Sequence, residues 1–483
     1  MSLDTTVKSI QDIMRQDAGI NGDAQRIEQL GWMLFIKIFS DREKELEVLE
    51  KEYESPIPKQ LQWRSWAENP EGITGDELLT FVDQKLFPTL RELKLGPKAD
   101  PRGIIIREIF EDAHNYMKSG QLLRQVINKV NEIDFNRSSD RHDFGDIYEK
   151  ILKDLQSAGN AGEYYTPRAV TQFAVEMVDP KLGEKVLDPA CGTGGFLACT
   201  IDHVQKNYVK GVKDRERLQA SIFGIDKKPM PHLLCVTNMI LHGIEVPSQI
   251  RRDNPLERPV RDYGPGDRVD VIVTNPPFGG QEEQGIENSF PATLRTRDTA
   301  ELFLVLVIHL LKDGGRAAVI LPNGTPLSAD GVPQRVREKL LTECNLHTIV
   351  RLPGGVFNPY APVQTNILFF EKGKPTKEIW YYEHPYPPGY KSYSKTKPIQ
   401  IKEFVPEKKW WKKRKESSQA WKIDIEQIRE KGLSLEIKNP NTPEVTHEDP
   451  DRLLGQYAEA RNKAAGILDE LQKALETALE GKG

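Results

Sequence analysis

Apolar residues in the first third of the chain recur at helical spacings. Leu30 to Phe39, LGWMLFIKIF, predicts a core helix, and the charged run Ser40 to Glu54 follows it. A Pro- and Trp-rich connection, Ser55 to Asn69, leads to amphipathic segments at Leu78 to Phe87 and Ile104 to Tyr116. No strand-type alternation interrupts this region, so a helical scaffold is expected.

From Gly145 the pattern changes. Asp146 to Gln156 is a helix candidate, followed by a Gly-broken loop and GEYYTPRAV, Gly162 to Val170. Pro167 suits a first helical turn with Thr166 as N-cap, the helix running to about Val178. Short apolar runs then alternate with helical ones. Strands are expected within EKVLD, at Ser221 to Asp226, Val269 to Thr274, Arg316 to Leu321, His347 to Leu352 and Asn366 to Phe370. Helices are expected at Glu301 to Leu311 and Val332 to Cys344. Such alternation predicts a doubly wound α/β fold with a parallel sheet. After Lys372 the pattern gives way to a Pro-, Tyr- and Lys-rich region holding KKWWKKRK, Lys408 to Lys415. It resumes in a helical stretch, Pro450 to Leu479, with Leu454, Tyr457, Arg461, Ala464, Leu468, Leu471 and Leu475 at coiled-coil-like spacing. The expected division is a helical domain over 1–145, an α/β core over 146–375, an irregular basic and aromatic extension over 376–449, and a helical tail over 450–483.

Two loops carry chemistry. DPACGTGGF, Asp188 to Phe196, sits where the first strand meets its helix. Glycines there let a ligand approach the backbone, and the helix N-terminus offers N–H donors. The chain has no P-loop pattern, and Asp188 would repel phosphate but suits a cationic sulfonium ligand. Asp226, ending the second strand, is placed to accept hydrogen bonds from a ribose diol. The other loop is VDVIVTNPPFGG, Val269 to Gly280. Its prolines end a buried strand, which puts Asn275, Pro276, Pro277 and Phe278 at a carboxyl edge, where α/β sheets bind ligands. The Asn275 side-chain oxygen and the Pro276 carbonyl can accept both hydrogens of an aromatic exocyclic amine. That pulls the nitrogen towards a tetrahedral shape and localises its lone pair, while Phe278 stacks on the ring. For each loop the bland alternative is a structural turn.

Composition adds limits. The chain is 38% hydrophobic and 29% charged, as a globular protein of 483 residues would be. No apolar run spans a bilayer and no signal-peptide core opens the chain, so a cytoplasmic protein is expected. Cys191, Cys199, Cys235 and Cys344 form no CxxC pair and read as reduced thiols rather than disulfides or a metal site. A net charge of −5 means that any contact with DNA is local or supplied by a partner.

GEYYTPR, DPACGTGGF and NPPF occur in that order, with TNMILHGI (Thr237 to Ile244) and LPGGVFNPYAPVQTNILFF (Leu352 to Phe370). On these motifs the chain resembles the modification (methylase) subunits of type I restriction–modification systems, which are adenine-specific DNA methyltransferases using S-adenosyl-L-methionine. The resemblance implies a Rossmann-like methyltransferase core with an N-terminal all-α domain and a C-terminal helical tail. It implies that Glu163, Tyr164, Tyr165, Thr166, Pro167 and Arg168 close over the methionine part of the cofactor. Asp188, Gly192, Thr193, Gly194 and Gly195 would lie along the cofactor, Asp226 on its ribose and Asp253 towards its adenine. Asn275 to Phe278 would be catalytic, acting on an adenine flipped from double-stranded DNA. A specificity subunit would choose the site, with two methylase chains per specificity chain, and a restriction subunit would complete the assembly. Pro450 to Leu479 is the candidate dock for the specificity subunit, against the alternative of a helix packed on its own chain. KKWWKKRK either tracks DNA with Trp410 and Trp411 stacking on bases, or is a basic loop with its tryptophans tucked beneath. Other readings are an RNA or protein-amide methyltransferase, and a scaffold that has lost its chemistry.

Overall fold

The buried strands of the second region assemble into a mixed nine-stranded sheet that organises residues 1–439. The structure is a computed structural model and describes residues 3–96, 100–135, 148, 166–358, 363–394, 396–441 and 450–480. The strands are β1 (Val186–Asp188), β2 (Ile222–Asp226), β3 (Ile250–Arg252), β4 (Val269–Thr274), β5 (Leu311–Pro322), β6 (Cys344–Leu352), β7 (Thr365–Lys372), β8 (Glu378–Glu383) and β9 (Ala420–Asp424). Their order is β3-β2-β1-β4-β5-β7-β6-β8-β9. The first five in this order run parallel; Val186 faces Ile222 on one side and Val271 on the other. β4 follows from its own sequence. It is buried except for Asp270, which accepts from Lys312 Nζ at 2.7 Å and from the Lys185 amide at 2.8 Å.

Two expectations need correction. The sheet is not wholly parallel, because β7 inserts between β5 and β6 antiparallel to both. The connection Pro353 to Gln364 is Gly- and Pro-rich and has no helical pattern to make the crossover a parallel return requires. Nor are the described residues of 376–449 irregular. β8 pairs parallel with β6 and β9 antiparallel with β8, so this stretch completes the sheet edge. β3 was not foreseen either. The predicted helix over Asp146 to Gln156 lies outside the described residues, except for Tyr148.

Two apolar layers cover the sheet. One is built on the helix Thr299–Leu310 and on Val336 and Leu340. The other is continuous with the N-terminal helices. There the expected core segment lies inside a longer helix, Asp23–Leu49, whose charged second half remains helical and buries the ion pair Lys37–Asp41. This helix packs on Pro229–Leu241, with the Gly31 position only 3.0 Å from Leu233 Cδ2 were a Cβ present. The segment after Ile104 is helical only to Glu111, with Pro101 opening the helix and Asp100 capping it. Residues Pro440–Gly483 form a separate unit containing one helix, Pro450–Glu480.

Candidate active site at the carboxyl edge of the sheet

β1, β2 and β4 end side by side, and the loops that leave them enclose one cavity. Its walls include Thr166, Asp188, Gly192, Thr193, Gly195, Asp226, Asn275 and Pro277, all singled out from the sequence.

The Gly loop is shaped by its own hydrogen bonds. Asp188 Oδ1 accepts from the Ala190 amide at 3.1 Å, and the Ile225 carbonyl accepts from the Cys191 amide at 3.0 Å. Asp226 binds the loop through Oδ2, which accepts from the Gly192 amide at 3.0 Å. Its Oδ1 accepts from the Lys228 amide at 2.9 Å. The Thr193 carbonyl accepts from Asn238 Nδ2 at 3.0 Å, which explains the amide in TNMILHGI. Gly194 adopts φ 82° at the N-cap of helix Gly195–Tyr208, and a Cβ there would lie 2.8 Å from Cys235 Sγ. Glycine at this position therefore meets both a backbone and a packing requirement.

Asp188 is buried, and that burial pushes its carboxyl up to about 7, with Asp226 adding to the rise. The folded value lies above the unfolded one, so between about pH 4 and 7 the folded chain holds a proton the unfolded chain has lost. Stability should fall as pH rises through that window, by on the order of 4 kcal/mol, and level off above it. Asp188→Asn should reduce the slope, leaving the part due to Glu301, whose carboxyl burial also pushes up to about 7, and should be the more stable protein at pH 8. Urea denaturation at pH 5 and pH 8 measures both.

Asn275 is held from one side only. Its Nδ2 donates to Thr166 Oγ1 at 2.8 Å, and its Oδ1 is buried without a partner among the described residues. The bond to Thr166 replaces the cap expected there, since Pro167 is the N-cap of helix Arg168–Val178 and no side chain caps it. Pro276 is buried, and Phe278 stands edge-on to Phe357, ring centroids 5.3 Å apart. Arg168 turns to Asp202, at 2.6 Å, and to the Gly195 carbonyl. Asp253 is exposed, while its neighbours Asn254 and Pro255 line the cavity. Glu163, Tyr164 and Tyr165 lie outside the described residues.

Sequence reasoning missed Lys227, Glu282, Thr171 and Phe303 on the cavity wall. Lys227 follows Asp226 and could have been suspected; the others carry no local signal. KKWWKKRK is placed elsewhere. Trp411 packs edge-on against Phe369 and Trp410 against Tyr382, and Arg414 covers both indoles. Lys408 pairs with Glu176 at the far end of the helix that starts at the cavity. The tryptophans pack against the sheet, and none of the residues of this basic segment lines the cavity.

Comparison with known proteins bears on this geometry. The family described as N-6 DNA Methylase matches residues 139–449, and the one described as HsdM N-terminal domain matches residues 3–130. The type I restriction enzyme EcoEI methylase subunit of Escherichia coli is 58% identical over 100% of this chain and 99% of its own. The chain belongs to the type I methylase subunits of the N-6 DNA methylase family. As such it is the modification subunit of a type I restriction–modification system, an adenine-specific DNA methyltransferase. A solved modification subunit from Vibrio vulnificus YJ016 superposes with a TM-score of 0.82 at 44% identity, over 92% of this chain and 98% of that one. A chain from a solved type I assembly gives 0.81 at 37% identity, over 98% of each. Methylases of this family use S-adenosyl-L-methionine in general, and a type I subunit works with DNA and partner subunits. Among the described residues no helix is long and apolar enough to cross a membrane.

Proposed function

We propose that the cavity binds S-adenosyl-L-methionine and that Asn275 to Phe278 present the exocyclic amine of an adenine to it. The observation that carries this reading is the buried Asn275 Oδ1, an acceptor without a partner among the described residues, on a residue that lines the cavity together with Asp188 and Asp226. A buried acceptor of this kind calls for a donor. The Asn275 amide has its nitrogen on Thr166 Oγ1, which leaves its oxygen as the group without a partner among the described residues. The rest of the cavity fits the cofactor. Gly192 and Thr193 line the cavity, Asp226 stands where a ribose diol can reach a carboxylate, and Asp188 supplies a buried acid beside a cationic sulfonium. Asn254 and Pro255, which line the cavity beside Asp253, would meet the cofactor's adenine ring. When bound, S-adenosyl-L-methionine supplies an electrophilic methyl group.

The chain's own residues then polarise and position. Asn275 Oδ1 and the Pro276 carbonyl accept the two N–H bonds of the target amine and favour a localised lone pair, and the proton leaves after transfer. Phe278, braced by Phe357, offers its ring to the base face. Such a base must be flipped from duplex DNA. Site choice belongs to a specificity subunit, with two copies of this chain per specificity chain and a restriction subunit in the full complex. The helix Pro450–Glu480 is the docking element, because Leu454, Tyr457, Leu468 and Leu471 expose an apolar stripe on it. Calorimetric titration of the full chain with S-adenosyl-L-methionine tests the cavity assignment. Saturable one-site binding is expected, and absent binding would restore the scaffold reading.

A further inference from the structure

The ion pair Lys227–Glu282 crosses the cavity and has no part in the chemistry above. Lys227 directly follows Asp226 at the end of β2, and Glu282 lies four positions beyond Phe278 in the loop that leaves β4. Lys227 Nζ donates to Glu282 Oε2 at 3.1 Å, and both residues line the cavity. The two ends of the pair are unequal. The Lys227 side chain is 48% exposed and the Glu282 side chain 4%. Glu282 is also thoroughly held. Its Oε1 accepts from Thr299 Oγ1 at 3.0 Å, its amide donates to the Arg297 carbonyl at 2.8 Å, and its carbonyl accepts from the Arg297 guanidinium at 2.7 and 2.9 Å. Thr299 in turn donates its amide to the Gly280 carbonyl at 3.3 Å, two residues past Phe278.

The carboxylate is therefore fixed to the same frame that holds the end of the Asn-Pro-Pro-Phe loop. A buried carboxylate is stabilised by a cation, and among the described residues Lys227, at the end of the neighbouring cofactor strand, is the one that forms an ion pair with it. We propose that Lys227 and Glu282 are positioning residues, a clasp that sets the catalytic loop in register with the cofactor-binding end of β2. The proposal rests on the methyltransferase reading of the cavity. In it the clasp touches neither reacting atom. It fixes the spacing between Asn275 and the methyl donor, a quantity to which transfer rates are steeply sensitive.

The test uses the full chain reconstituted with a specificity subunit and its DNA. Single-turnover methyl transfer and calorimetric binding of S-adenosylhomocysteine are measured for Lys227→Met, Glu282→Gln and the double variant. Each single change is expected to lower the transfer rate about tenfold, with affinity altered less than about threefold. The double variant should be no slower than the slower single, since one interaction is lost once. Lys227→Met, changed at a half-exposed side chain, keeps the test valid if Glu282→Gln folds poorly. Rates at the unaltered level, losses that multiply in the double variant, or a fall in affinity matching the fall in rate would each overturn the clasp. Methylation that survives Asn275→Ala would instead overturn the reading beneath it, so the two failures are distinguishable.

Discussion

Asn275→Ala is expected to lower methyl transfer by a factor on the order of 10² to 10³ while cofactor affinity stays within a few-fold of the unaltered chain. The substitution removes a buried oxygen without a partner among the described residues, on a residue that lines the cavity. It leaves Asp188, Asp226 and the Gly loop untouched, because Asn275 meets the fold through Thr166 rather than through that loop. Removing one preorganised partner of a developing charge typically costs this much, and the effect falls on kcat because the contact matters most as the amine changes shape. Thr166→Val is the milder companion. It frees the amide to rotate and should give a smaller loss in the same direction. Single-turnover transfer beside calorimetric titration measures both, and a loss of affinity equal to the loss of rate would contradict the assignment.

Asp226→Ala is expected to weaken cofactor binding by roughly 10- to 100-fold, with transfer at saturating cofactor less affected. The carboxylate orders the site before any ligand arrives, since its two oxygens accept from the Gly192 and Lys228 amides. Its loss releases the loop, and in the proposed complex removes the ribose acceptor. Hydrogen bonds to a charged group contribute about 1.5–3 kcal/mol, and about 1.4 kcal/mol corresponds to tenfold in affinity. Calorimetry at several cofactor concentrations reads the change directly; unaltered affinity would remove Asp226 from the site.

The parts of the site legible in the sequence were those whose chemistry is local. Two prolines after a buried run can only end a strand, so the place of Asn275 to Phe278 followed from adjacent residues. The glycines of the first loop and Asp226 were readable on the same terms. The unread parts depend on distant partners. Thr166 looked like a helix cap because capping is decided within a few residues, whereas its bond is to Asn275 Nδ2, far along the chain. Glu282 is one acid among many until Thr299, Arg297 and Lys227 fold around it. β8 is a short Ile-Trp-Tyr-Tyr run between Glu378 and Glu383, and β9 is broken by Lys422; both become strands by pairing, β8 with β6 and β9 with β8. KKWWKKRK offered charges and indoles side by side, and tertiary packing put Trp410 and Trp411 against Tyr382 and Phe369.

The central claim, that this cavity and the Asn275 loop methylate the exocyclic nitrogen of adenine in DNA, is tested most directly by analysing nucleosides. Duplex DNA is incubated with the full chain, a specificity subunit and labelled S-adenosyl-L-methionine, then digested and resolved by mass spectrometry. All transferred label is expected in N6-methyladenine, with none above background from the Asn275→Ala chain. Label in another base, in RNA or protein supplied alongside, or persisting in N6-methyladenine at the full rate with Asn275→Ala, would contradict it.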